Sequence, residues 1–336
     1  MSCFIILLVL TGLGCYFWGK NSEAVKNQKE KELNILINRS ELEGQGEIEG
    51  KIYVTGHQNP DSDTVCSSIA YASLLQKLGY DAVPVILGEI NKETEYLLNA
   101  AGVETPELLE DASGLNMILI DHSEYTQSAK GLEDANIISI IDHHGDGTVT
   151  TGDPLIYDAR PFGATATIVW IRYRNYGIEP DKQTALILMG AILSDTFNLE
   201  AVATAPADIE AVKTLSVMAG ITDKEAFYKE MFKALLSYDG MTDEEILLSD
   251  YKEYESGGKK YSIGCIDVYD EESAKDMVER MKKILPSNEA AEEVIRTAFG
   301  DRGEFDGSVC RLEPGISRKK DLVPAITDIL ESHPKE

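Results

Sequence analysis

The stretch Ser139-Ile140-Ile141-Asp142-His143-His144 constrains the fold of this chain more than any other. The apolar, β-branched run 137–141 reads as a strand buried on both faces, and the polarity changes where that strand should leave the sheet. A carboxylate and two imidazoles at a strand tip are costly unless water or a cation meets them. Taken alone, the motif fits a solvated turn about as well as a site. It is not alone, however. Residues 52–54 form a similar run ahead of His57-Gln58-Asn59-Pro60-Asp61-Ser62-Asp63, and residues 117–120 form another ahead of Asp121-His122.

Between these runs lie segments of helical apolar spacing. The pattern predicts strands at 52–54, 83–87, 117–120 and 136–141, with helices at 64–78 and 92–101. Longer helices follow at 165–176, 181–193, 206–219 and 224–236. Helices of roughly a dozen residues between strands call for right-handed crossovers and a mainly parallel sheet. The expected architecture is therefore α/β, with a doubly wound parallel-sheet domain over 51–219. A helix end at Met218-Ala219-Gly220 reads as a hinge. A smaller α/β domain over 225–331 should contain a strand at 261–268 and helices at 272–285 and 290–299.

The formal net charge of -27 repels a nucleic-acid backbone, so nucleic acid is not expected as a partner. Any phosphate chemistry must then rely on metal ions or a local basic patch. The five cysteines show no C-x-x-C spacing, which favours a reducing, cytoplasmic setting over a disulfide framework. Residues 3–18 are uncharged and almost wholly apolar, but lack the basic start of a secretory signal. The lysines that follow keep the downstream chain cytoplasmic by the positive-inside rule. This segment suits a membrane tether or a start-site artefact, and the charged, then glycine-rich stretch to residue 50 suits a linker.

His57, Asp61 and Asp63 share one loop entering a helix. Helix capping accounts for one of these aspartates, but not for both together with the histidine. Asp121 alone would be an ordinary turn former. In a doubly wound sheet, though, the carboxyl ends of the strands converge on one crevice, so the motifs support one another. Asp195, in Leu193-Ser194-Asp195-Thr196, ends an apolar helix and opposes its dipole, at about 0.3–1 kcal/mol unless a cation is near. His57, Asp61, Asp63, Asp121, His143 and Asp195 are enough for two metals sharing a bridging carboxylate. Imidazole with several carboxylates suits manganese, cobalt or zinc. Two such metals can bind phosphoryl oxygens and an activated hydroxide, which points to phosphoester or phosphoanhydride hydrolysis. The patch Ser317-Arg318-Lys319-Lys320 could grip phosphate, or simply solubilise a helix flank. Lys233 is a weaker candidate of the same kind.

The motifs GHQNPDSD, LIDHSE, IIDHH, LSDT and SRKKDLVP occur in that order and resemble those of the manganese-dependent (family II) inorganic pyrophosphatases of the DHH phosphoesterase superfamily. The Gly-Gly-His motif of many nucleotide-cleaving relatives does not occur. The resemblance implies that His57, Asp61 and Asp121 hold one Mn2+, and that Asp63, Asp121, His143 and Asp195 hold a second. Co2+ or Mg2+ would be substitutes. It implies that His144, Lys233, Arg318 and Lys319 face pyrophosphate, and that a DHHA2-type second domain closes on a hinge in a homodimer. Two alternatives stand beside this reading: a DHH phosphodiesterase acting on short nucleotides, and a non-catalytic metal- or nucleotide-binding relative. The second domain looks shortened, because the family's pair of apolar strands has no counterpart near residue 286.

Overall fold

The computed structural model describes residues 25–30, 32–37, 40, 44, 48–286, 288–312 and 316–332. The apolar segment 3–18 lies outside the described residues, as does part of the linker. Among the described residues, no helix is long and apolar enough to cross a membrane. The chain divides into two compact units, Met1–Leu235 and Leu236–Glu336.

In the first unit, six strands form one parallel sheet. They are β1 (Ile52–Thr55), β2 (Ala82–Ile86), β3 (Glu107–Leu108), β4 (Asn116–Ile120), β5 (Asn136–Asp142) and β6 (Ile156–Ala159). Their spatial order is β3-β2-β1-β4-β5-β6, and every pairing is parallel. The chain winds outward from β1 to β3, then returns to place β4 beside β1. That reversal makes the gap between β1 and β4 the switch point, where a crevice opens at the strands' carboxyl ends. His57 follows β1 and Asp121 follows β4, so this topology delivers both to the crevice.

Helices α1 (Ser62–Lys77), α2 (Lys92–Ala101), α3 (Thr165–Asn175), α4 (Lys182–Asp195) and α5 (Pro206–Ala219) flank the sheet, and α6 (Lys224–Leu235) closes the unit. The α4 sequence is apolar nearly all round, and its residues 184–193 are all buried. Such a helix needs cover on several sides, and it has close neighbours in α1 and α5. Helix α6 packs within this unit, with Phe227 against Tyr96 of α2. The division therefore falls after α6, at Leu235/Leu236, rather than at the Gly220 hinge.

The second unit contains α7 (Asp243–Leu248), an antiparallel hairpin of β7 (Tyr251–Ser256) and β8 (Lys259–Gly264), then α8 (Glu271–Ile284) and α9 (Glu289–Phe299). A second hairpin pairs β9 (Glu304–Asp306) with β10 (Val309–Arg311), and α10 (Val323–Ser332) follows. The expected strand at 261–268 is shorter and is paired with β7, a charged strand that carries little apolar signal. The two hairpins belong to separate two-stranded sheets. Their helices cover two small apolar clusters, one around Ile246, Met277 and Met281 and the other around Phe299, Ile326 and Leu330.

Candidate metal centre

Six expected ligands meet at the switch point. His57, Asp61 and Asp121 bring one donor atom each within 4.8 Å of one another, as do Asp63, His143 and Asp195, and also Asp121, His143 and His144. Each position has a local cause. Asp61 is the N-cap of α1: its Oδ1 accepts from the Thr64 amide at 2.9 Å, which leaves Oδ2 3.4 Å from His57 Nε2. Capping and site duty therefore use different oxygens of one carboxylate. Gly56 lets the loop pass over α1, since a Cβ there would strike the Thr64 side chain at 2.1 Å.

Asp121 sits at the middle. Its φ of 64° is unusual for a side-chain-bearing residue, although aspartate tolerates it better than most. The left-handed turn folds the carboxylate back into the cluster, where Thr64 Oγ1 donates to Oδ2 at 2.8 Å and Thr165 Oγ1 donates to Oδ1 at 2.9 Å. His57 Nε2 lies 3.5 Å away and His143 Nε2 3.4 Å away. Asp63 takes the amides of Thr165 and Ala166 at 2.6 and 2.8 Å. Helix α3 has no cap from its own Ala164, so Asp63 caps it from another helix and lies at its positive end.

His143 carries the most informative geometry. Its Nδ1 is 3.0 Å from the Phe162 carbonyl, which can only accept, so that nitrogen holds the proton. The other nitrogen, Nε2, is buried with no hydrogen-bond partner. It faces carboxylate oxygens of Asp121 and Asp195 at 3.4 and 3.6 Å, beyond ordinary hydrogen-bond length. An imidazole nitrogen facing two carboxylates needs a positive charge between them, which a bound metal ion supplies. The donor set thus fits a metal of the manganese type.

The electrostatics describe a cluster with too much negative charge. Burial, with Asp121 and Asp61 next, pushes Asp195 up to about 8. Burial and the same carboxylate neighbours push Asp63 well above the usual range. Burial alone would raise Asp121, but the His57 hydrogen bond and the neighbouring imidazoles hold it down to about 2. Burial lowers His57, but its hydrogen bonds to Asp121 and Asp61 outweigh this and hold it up to about 10. Protons fill the role a cation would take.

His144 differs from His143. Its Nδ1 lies 2.9 Å from Asp142 Oδ1, and this bond raises its pKa and orients a half-exposed ring. Lys233, near the end of α6, pairs with Glu230 at 3.1 Å. Arg318 and Lys319 belong to the second unit, in the turn Arg318–Leu322. The Arg318 guanidinium donates to the Asp250 carbonyl at 2.6 Å and to its carboxylate at 2.7 Å.

Several supporting residues carry no sequence signal of their own. Asp208 is wholly buried, and it accepts from the Gly163 amide at 2.8 Å, the Thr167 hydroxyl at 2.5 Å and the Ala205 amide at 2.6 Å. It thereby fixes the turn that presents the α3 amides to Asp63. Gly163 has no room for a Cβ, which would meet Thr196 at 2.5 Å. Thr64, Thr165 and Glu93 belong to the same group, a Glu in a helix's first turn being ordinary in sequence.

The parallel sheet with its acid–imidazole crevice defines a DHH-type protein. The chain matches the DHH family, N-terminal domain, over residues 51–192 and the DHHA2 domain over 229–295. It is 38% identical over 309 residues to a probable manganese-dependent inorganic pyrophosphatase of Clostridium acetobutylicum, covering 84% of this chain and 99% of the relative. It is 34% identical over 310 residues to the manganese-dependent inorganic pyrophosphatase of Bacillus subtilis, covering 83% and 99%. A Methanococcus jannaschii crystal structure assigned to the family II inorganic pyrophosphatases superposes with a TM-score of 0.54 at 34% identity, covering 83% and 99%. This chain belongs to the manganese-dependent inorganic pyrophosphatase family. The 309 positions matched to the Clostridium protein are spanned by 84% of 336 residues, so some of them have no counterpart here.

Proposed function

We propose that this chain hydrolyses inorganic pyrophosphate to two phosphates with two manganese ions, cobalt or magnesium being substitutes. His57, Asp61 and Asp121 would hold one ion; Asp63, His143 and Asp195, with Asp121 shared, would hold the other. The observation that carries the reading is the buried, partnerless Nε2 of His143 facing two carboxylates. Once bound, such ions lower the pKa of a water and offset phosphoryl charge.

The remaining chemistry belongs to the chain. Thr64 and Thr165 fix both Asp121 oxygens through their hydroxyls, so the shared carboxylate is oriented in advance. Asp142 holds His144 by Nδ1, which leaves Nε2 as the atom offered to a phosphate oxygen. A cationic His144 would stabilise charge gathering on the departing phosphate. Lys233, Arg318 and Lys319 are proposed as further hydrogen-bond donors to phosphate, Arg318 by its planar fork. The reading carries with it the homodimeric, cytoplasmic form that the family resemblance implies.

The test is phosphate release from pyrophosphate with manganese, compared with magnesium alone and with Asp121→Ala. Loss of the shared ligand should lower turnover on the order of 10³-fold, the upper scale for removing one charge-stabilising group. Turnover that survives in Asp121→Ala would sink the assignment.

A further inference from the structure

One buried acid near the centre belongs to no ligand group. Glu93, in the first turn of α2, is 4% exposed and has no cationic partner among its hydrogen bonds. Burial raises its pKa, while Ser194 and Ser62 partly offset that. One oxygen, Oε2, receives two hydroxyls: Ser62 Oγ at 3.0 Å and Ser194 Oγ at 2.6 Å. The positions of these serines matter. Ser62 lies between Asp61 and Asp63 at the start of α1, and Ser194 directly precedes Asp195 at the end of α4. Ser62 is also 3.1 Å from the Thr94 hydroxyl, the residue after Glu93.

We propose that Glu93 is a positioning residue that pins the helix start bearing Asp61 and Asp63 to the helix end bearing Asp195. A single acceptor shared by two donors fixes their separation, whereas apolar packing of α1 on α4 would let the helices slide. The arrangement is costly as mere structure, because a buried carboxylate without a counter-charge is destabilising. It makes sense where three aspartates must be held close against their mutual repulsion. The proposal rests on reading Asp61, Asp63 and Asp195 as metal ligands.

The test is manganese titration of the full chain, followed by the loss of the free-ion electron paramagnetic resonance signal. The variants are Glu93→Ala, Glu93→Gln and Ser194→Ala, each with metal-free thermal unfolding measured in parallel. Glu93→Ala should raise the manganese Kd about 10–100-fold, the usual effect of losing an outer partner of a metal ligand. Glu93→Gln should recover most of the affinity, because its amide oxygen still accepts both hydroxyls. Ser194→Ala should fall between, and it decides the matter if Glu93→Ala does not fold. Unchanged manganese Kd in Glu93→Ala or, failing its folding, in Ser194→Ala would overturn the proposal, as would Gln behaving like Ala. A lowered unfolding temperature with unchanged Kd would show a purely structural acid. If the unaltered chain binds no manganese, the metal-centre reading fails too, which is a distinct result.

Discussion

The two units spend their apolar residues differently. The first has a large core on one face of its sheet and a smaller one around Met117, Leu119 and Ile140, and β1, α1, β4 and α4 are buried almost end to end. Within it lie charged and hydroxyl side chains that are nearly all satisfied. Among its described residues, the second unit has two three-residue nuclei with half-buried neighbours and two separate hairpins. A buried polar network such as the Asp63–Asp121–Thr165 cluster is tolerable only where surrounding packing over-determines it. The first unit supplies that packing. The second has little packing to spare, and its cations, such as Arg318, make their contacts at the surface. Two two-stranded sheets are marginal on their own, so the second unit should owe its order to its helices.

Matched truncations can break this comparison. Leu188→Ala, in the middle of α4 with no exposure, should cost about 2–5 kcal/mol. Each kcal/mol is worth about 2–4 °C in a unit of this size. Phe299→Ala in the second unit removes the largest side chain of a three-residue nucleus, a loss of about 3–5 kcal/mol that the small core cannot absorb. Calorimetry should show two transitions in the unaltered chain. Phe299→Ala should abolish the lower one and leave manganese binding by the first unit intact. A single transition that both substitutions shift together would mean that the units do not differ as described.

Proton linkage sharpens the contrast, because the unusual titrations cluster in the first unit. Asp195 moves from 3.8 to about 8 and His57 from 6.5 to about 10, so both bind protons more tightly in the folded chain. Their contribution is complete below the unfolded values and is lost as pH climbs through the folded ones. The metal-free chain should therefore lose stability steadily from about pH 4 to pH 10. Asp121, held down to about 2, contributes above 3.8 and is lost only as pH falls toward 2. Manganese replaces the protons, so it should flatten the alkaline decline, and its affinity should rise about tenfold per pH unit for each proton displaced. Thermal melts from pH 5 to 9 with and without manganese check this. An alkaline decline that manganese leaves unchanged would refute it.

The legibility of the fold follows burial. Strands β1, β4 and β5 are visible in the sequence because both their faces are largely covered and their central residues are mostly apolar. β6 is an edge strand of four residues and β3 has only two, so neither carries a periodic signal. β7, Tyr-Lys-Glu-Tyr-Glu-Ser, is a solvated hairpin strand, and its charge hides it. The candidate ligands stand out because acids and imidazoles contrast with the apolar runs they end. Their supports do not: Thr165 reaches Asp63 across 102 positions and Ser194 reaches Glu93 across 101. Hydroxyls and amides are ordinary residues until the fold brings them to a carboxylate. The left-handed turn at Asp121 is likewise a product of the assembled sheet, as no glycine marks it.

Asp142 offers the smallest and finest test of the first unit's economy. It is 1% exposed, and Oδ1 receives both the His144 amide at 3.0 Å and the Nδ1 proton at 2.9 Å, while the Ser123 hydroxyl donates to Oδ2 at 3.2 Å. Asp142→Asn keeps an oxygen for His144 but removes the charge that raises the imidazole's pKa. The ring should keep its orientation and lose its proton at lower pH. The expected result is manganese affinity close to that of the unaltered chain, with turnover reduced about tenfold, the low end for loss of an outer partner. The alkaline limb of the pH–rate profile should move toward neutrality, since the cationic form of His144 is the one proposed to serve the phosphate. If turnover falls with no movement of that limb, Asp142 acts through packing, and His144 does not work as a cation.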